Sequence, residues 1–238
     1  MDTRPVDSPA GAARFGPMCS RIDQSPSPVG GYLGALGVAP PAGFLASGNV
    51  RPTDPVLAVR EAEHTAAGGS PDGLEAVALR WGFEGHGRGP VINARAETAH
   101  ALPMFRDALR RRRCIVPVAR FYEWTALPCE PGEPDLLGDA TPVAGAGASA
   151  RKAPHAFAMP DGAAYVLAGL WTAGRLVILT VTASPAVAPY HDRMPAILPP
   201  EHVGPWLWHG QPPAGAAHPL LVPFDGPLVA SAVHKFPA

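Results

Sequence analysis

Val91-Ile92-Asn93-Ala94-Arg95-Ala96-Glu97-Thr98, continuing through Arg110-Arg111-Arg112-Arg113 to Phe121-Tyr122-Glu123-Trp124, is the stretch on which the reading of this chain turns. If Val91-Ile92-Asn93 is extended, Asn93 and Arg95 point to one face, because residues two apart on a strand share a side. A short amphipathic helix follows. Pro103 suits its first turn, Met104, Phe105, Ala108 and Leu109 share a face, and Arg110 to Arg113 place positive charge at its C-terminal end. Cys114 to Val118 then reads as an apolar strand and Arg120 to Trp124 as a second. Glu123 lies among aromatics, so its carboxylate is either paired or has a raised pKa.

Working outward, Val56 to Val59, Leu74 to Phe83 and Arg175 to Thr182 read as strands. Ala156 to Met159, the Pro160-Asp161-Gly162 turn and Tyr165 to Trp171 read as a hairpin. Pro199 to Trp208 reads as a short helix, and Leu220 to Phe236 holds one or two short strands. Residues 22 to 48 are rich in Gly and Pro, with a weak apolar stretch around Tyr32, Leu33 and Leu36. Residues 126 to 151 have no period and read as a flexible insertion. The 31 prolines and 26 glycines argue against long helices and for strands joined by irregular loops. The expected fold is one α+β domain, mainly β, a distorted antiparallel barrel or sheet with short flanking helices.

Composition narrows the function classes. With 16% charged residues and a net charge of -1 there is no global basic field, so any nucleic-acid contact must be local. The three cysteines, at 19, 114 and 129, form no C-x-x-C pair, and no H-E-x-x-H occurs; neither a metal nor a cofactor is expected. An odd, low cysteine count suits the cytoplasm. No apolar run is long enough for a membrane span. Residues 1 to 17 read as a disordered leader or a misassigned start, with residues 18 to 238 forming the domain.

Four side chains could carry chemistry. Cys19 alone reads as a buried or incidental thiol, but Met18 alters that. If translation starts at Met18, removal of the methionine leaves Cys19 with a free amine beside its thiol, a pair that closes a thiazolidine ring on an aldehyde. His191, in His191-Asp192-Arg193-Met194-Pro195, follows a buried strand, where functional groups are often mounted; it reads equally as a loop histidine bonded to backbone. Glu123 could instead pair with a core arginine, and Asn93 could be a turn residue. Cys114 reads as core.

Together, Met18-Cys19-Ser20-Arg21, Asn49-Val50-Arg51-Pro52-Thr53, Arg80-Trp81-Gly82, Asn93 to Thr98, Arg112 to Pro117, Phe121 to Trp124, Ala168 to Trp171 and His191 to Pro195 resemble the SRAP family, whose domain senses abasic sites in single-stranded DNA. The resemblance implies a covalent role for Cys19, positioning by Asn93, and proton handling by Glu123 and His191. It implies phosphate contacts by Arg21 and Arg95 and stacking of a base on Trp81. The expected partner is single-stranded DNA containing an abasic site, bound by a monomer. The alternatives are a cysteine peptidase acting on proteins and a non-covalent single-strand binder that keeps the leader. Two departures stand out. Ser20 replaces the family's glycine after the cysteine, which matters if that position needs positive φ. Ile22 replaces an aromatic.

Overall fold

The computed structural model describes residues 19–62, 73–85, 87, 89–127, 151–208 and 217–237. In chain order the elements are β1 (Ile22–Asp23), α1 (Pro26–Ala35), β2 (Pro55–Glu61), β3 (Leu74–Trp81), β4 (Asn93–Arg95), α2 (Ala96–Ala99) and α3 (Pro103–Arg111). They continue with β5 (Arg113–Val118), β6 (Arg120–Leu127), β7 (Arg151–Ala158), β8 (Tyr165–Thr172), β9 (Arg175–Thr182), β10 (Arg193–Pro195), β11 (Ile197–Leu198), α4 (Pro200–Leu207) and β12 (Val229–Ala232).

The strands form two sheets. One runs β1-β6-β7-β12. The other runs β10-β9-β3-β2-β5-β8-β11, with β4 beside β9 and a further β8–β9 ladder. The larger sheet curls on itself but is distorted rather than a regular closed barrel. Its β3–β9 contact is a two-residue parallel ladder, and β2 meets β5 at the single pair Val59 and Ile115. The rest is antiparallel except for β4, which lies parallel to β9. At the weak β2–β5 seam, the buried Gln24 amide takes over from the missing ladder. Its Nε2 donates to Leu57 O and Pro117 O, and its Oε1 accepts from Leu57 N–H. Pro117 has no N–H to give, so a side chain supplies what the backbone cannot.

The strong apolar runs became the core: β5, β8 and β9 are buried along almost their whole length. One expectation is corrected, and two stretches gain detail. Residues 156–159 and 165–171 do not form a hairpin, because β7 pairs with β6 and β12 while β8 pairs with β5, β9 and β11. The actual hairpin joins β8 to β9 through Ala173 and Gly174, both at positive φ (47° and 73°), the two-residue turn that suits strand twist. The Gly- and Pro-rich stretch after residue 22 contains helix α1. Pro26 and Pro28 sit in its first turn, where no intrahelical N–H is needed, and Val29 and Leu33 bury its inner face. Of the 126–151 insertion, Ala126 and Leu127 close β6 and Arg151 opens β7, with Leu127 paired to Arg151; residues 128–150 and Cys129 lie outside the described residues.

Helix α3 forms where expected, with Phe105, Ala108 and Leu109 buried. The basic run at its end divides. Arg113 is fully buried and its guanidinium donates to Leu109 O (3.0 Å), Trp206 O (2.5 Å) and Trp208 O, tying the C-terminal ends of α3 and α4 to β5. No helix of the described residues is long and apolar enough to cross a membrane.

Candidate active site

The short β1 delivers Cys19 to its neighbours. Ile22 pairs with Phe121, and Tyr122 N–H donates to Arg21 O at 3.1 Å, so the preceding residues run back along β6 toward Glu123. Buried Asp23 fixes this approach: one oxygen accepts from Ser25 N–H and Oγ–H, and the other lies 2.8 Å from Arg120 Nε. Cys19 N–H then donates to Glu123 Oε1 at 2.7 Å. On the other side β4, held against β9, aims Asn93 Nδ2 at Cys19 O, 3.4 Å away, at the long end for a hydrogen bond. The extended reading of this segment holds, with Ala94 buried between Asn93 and an exposed Arg95.

Cys19 and Glu123 are 0% and 1% exposed, so neither ionises as it would in water. Burial pushes the Glu123 carboxyl from 4.5 up to about 8, and the charge of Asp192 pushes the same way against the hydrogen bond from Cys19. Burial, and then Glu123, hold the Cys19 thiol well above its ordinary range. A cysteine that attacks as a free thiolate is normally partly exposed and depressed in pKa. Cys19 is the reverse: its thiol is sealed, and its backbone N–H rests on a carboxyl able to exchange protons near neutrality. Cys19 also carries the positive φ (37°) in this segment, and Ser20 does not. The Gly-to-Ser departure therefore falls where glycine is not required.

His191 comes from the loop between β9 and β10. Its N–H donates to Val187 O, and the preceding Tyr190 packs edge-on against Phe157 (5.2 Å) and against His155 (4.6 Å). His191 is 5% exposed. Its Nδ1 accepts from Arg193 N–H at 3.0 Å and lies 2.9 Å from Asp192 Oδ1. The first contact needs a lone pair on Nδ1 and the second needs a proton there. Arg193 anchors the loop through a bidentate pair with Glu97 (2.7 and 2.8 Å) and a bond to Thr180 O. Cys19, Glu123 and Asn93 meet directly; His191 reaches the same neighbourhood through Asp192, whose charge acts on Glu123.

The residues expected to contact DNA fare differently. Arg21 lies with its guanidinium 4.0 Å from the Phe236 ring and 5.4 Å from that of Trp124. Trp81 is corrected: it is 0% exposed and its indole N–H donates to Ile92 O at 3.0 Å. It is a core residue and offers no face to a base. Glu97, Arg193 and Gln24 were missed as organising residues. Glu97 and Arg193 stood inside the quoted motifs, but their pairing spans 96 positions and has no local signature.

A cysteine whose backbone nitrogen meets a buried carboxyl of raised pKa and whose carbonyl meets a carboxamide, in a mainly β domain, is the arrangement the motifs bring together. Residues 18–236 match the family described as SOS response associated peptidase (SRAP), and the chain belongs to that family. It is 31% identical over 144 residues to the abasic site processing protein YoaM of Bacillus subtilis, covering 57% of this chain and 55% of that one, and 32% identical over 144 residues to YobE of the same organism, with 57% of each covered. The match thus spans little more than half of each relative. A solved structure from Bordetella bronchiseptica is similar over 91% of this chain and 100% of its own (27% identity, TM-score 0.63), and one from Bacteroides thetaiotaomicron shares the fold over 91% and 93% (19% identity, TM-score 0.64).

Proposed function

We propose that this protein recognises an abasic site in single-stranded DNA and bonds to it covalently through Cys19, shielding the lesion. Family membership and the names of the relatives support a role at abasic DNA. The observation that carries the covalent reading is the 2.7 Å contact between Cys19 N and the buried Glu123 carboxyl. The nitrogen in that contact is a peptide N–H; in the reactive form it stands for a free amine, exposed by initiation at Met18 or by self-removal of residues 1–18.

The abasic sugar opens from ring to aldehyde as His191 gives a proton to the ring oxygen, the bond from that oxygen to the anomeric carbon breaks, and the anomeric hydroxyl returns a proton to His191 through water. The Cys19 amine attacks the aldehyde carbon, forming the C–N bond; Glu123 protonates the departing hydroxyl, which leaves as water, and takes the N–H proton back as the imine forms. The thiol then adds to the imine carbon, its proton passing to nitrogen, and closes the thiazolidine. Asn93 holds the Cys19 carbonyl, so that nitrogen and sulfur arrive together. Arg95 and Arg21 meet flanking phosphates. With attraction to phosphates dominating the encounter, initial binding weakens with salt while the finished adduct does not.

A peptidase acting on other proteins is disfavoured, because it would need the Cys19 thiolate as the first attacking group and burial pushes that thiol the other way. The test is a denaturing gel of the protein incubated with an oligonucleotide bearing one abasic site, beside intact-mass measurement of the N-terminus. A shifted band from protein beginning at Cys19, absent in Cys19→Ala, supports the proposal. Retention of the leader with salt-sensitive binding and no shifted band points to the non-covalent binder.

A further inference from the structure

The proposed reaction has a proton to dispose of. An N-terminal amine has a pKa of about 7.7–8, so much of it is ammonium at neutral pH and must lose a proton before it attacks. From neutral amine onward the chemistry balances: amine, thiol and aldehyde give thiazolidine and one water. The ammonium proton must therefore leave, and Cys19, Glu123 and His191 are all at most 5% exposed.

Two titratable side chains that reach solvent lie beside them: Asp192, which is 63% exposed and touches His191, and a histidine on the strand paired with that of Glu123. His155, on β7, is the direct cross-strand partner of Glu123 on β6. Directly opposed residues of an antiparallel pair share a face, with Cβ atoms about 4.5–5.5 Å apart. The same face carries the stacked Phe121–Phe157 pair two residues along, 4.8 Å between centroids, and Tyr190 covers both Phe157 and His155. The ring's orientation is fixed chemically as well. Its Nδ1 lies 3.2 Å from Ala153 O and 3.1 Å from Thr125 Oγ1. In the tautomer whose Nδ1–H donates to the Ala153 carbonyl, the neutral ring keeps its lone pair on Nε2.

Resting on the function proposed above, we propose that His155 is the proton exit of the site: Glu123 takes the proton from the Cys19 ammonium, and His155 Nε2 takes it from Glu123 and releases it to water. No oxidant or co-reactant is needed: the ionised fraction of Glu123, whose pKa lies at about 8, takes the proton, and carboxylate and imidazole both return to their starting forms. Glu123 on β6 and Tyr190 on the loop before β10 flank this ring, and on its other side β12 pairs Ala232 with it. His155 is assigned as a positioning and relay residue, since it acts through Glu123 and not on the sugar.

Single-turnover crosslinking to the abasic oligonucleotide, followed across pH, tests this with His155→Phe, which keeps an aromatic ring against Tyr190, and His155→Gln, which keeps polarity without titrating. Both should react about tenfold more slowly than wild type near neutrality. Both should regain rate as free imidazole is added, whereas wild type does not respond. Wild-type rate in either variant, or slow variants indifferent to imidazole, overturns the assignment, the second outcome reducing His155 to packing. Failure of wild type to crosslink at all, or crosslinking by Cys19→Ala, overturns the parent proposal instead.

Discussion

Cys19 and Cys114 are both fully buried, and both thiols are pushed up by burial, Cys114 to about 12. What differs is the company each keeps. Cys114 sits inside β5 with its sulfur against Gly169 of β8, so close that a Cβ added at Gly169 would stand 2.8 Å from it. Its carbonyl receives the Trp206 indole N–H, and among the described residues no carboxyl is hydrogen-bonded to it. Cys19 lies just ahead of a two-residue strand, with a carboxyl on its nitrogen, a carboxamide on its carbonyl and strained backbone. Burial alone therefore does not separate the two thiols. The polar groups brought to the cysteine's own backbone do.

The largest effect expected is at the sulfur. Cys19→Ser keeps the amine and the Glu123 contact and removes only the atom that closes the stable ring. It should form no adduct that survives a denaturing gel, yet give an imine that borohydride reduction traps. A stable adduct without reduction would show that sulfur is dispensable and erase the contrast with Cys114.

Glu123→Gln comes next. The amide can still accept from Cys19 N–H but cannot exchange a proton, so single-turnover crosslinking should slow by roughly a hundredfold, within the usual range for general acid–base groups; an unchanged rate would remove Glu123 from the chemistry. The same variant carries a pH signature. The folded value of about 8 lies above the ordinary 4.5, so the native state holds its proton more tightly than the unfolded chain. The stabilising contribution is complete below about 4.5 and is lost as pH rises through 8, at about 1.4 kcal/mol for each tenfold change in proton affinity. Denaturant titrations from pH 5 to 9 should show that loss in wild type and a flatter profile in Glu123→Gln.

Much of this could be read from sequence because local chemistry dictated it. β9, β5 and α3 announced themselves by apolar run and period, and Cys19, Asn93, Glu123 and His191 by motif. What could not be read depends on separation along the chain. The sheet that β7 joins is decided by β6 and β12, not by its own Pro160-Asp161-Gly162 turn. Helix α1 was masked by glycines and prolines that a first turn tolerates. Trp81 looked like a stacking platform because a Trp-Gly pair says nothing of depth; only the fold shows its N–H given to Ile92 and its ring sealed.

Cys114→Ala is the smallest expected effect and the direct control on the opening contrast. Removing the sulfur leaves a small gap beside Gly169, whose neighbours Val116 and Val177 belong to ladders that cannot shift independently to fill it. For one buried heavy atom the cost should be about 1 kcal/mol, the transfer term plus incomplete relaxation. Crosslinking should stay within twofold of wild type, because Cys114 offers neither amine nor carboxyl to the reaction. A rate loss larger than the measured destabilisation can explain would mean that the core thiol shares in the chemistry. The two cysteines would then differ in degree and not in kind.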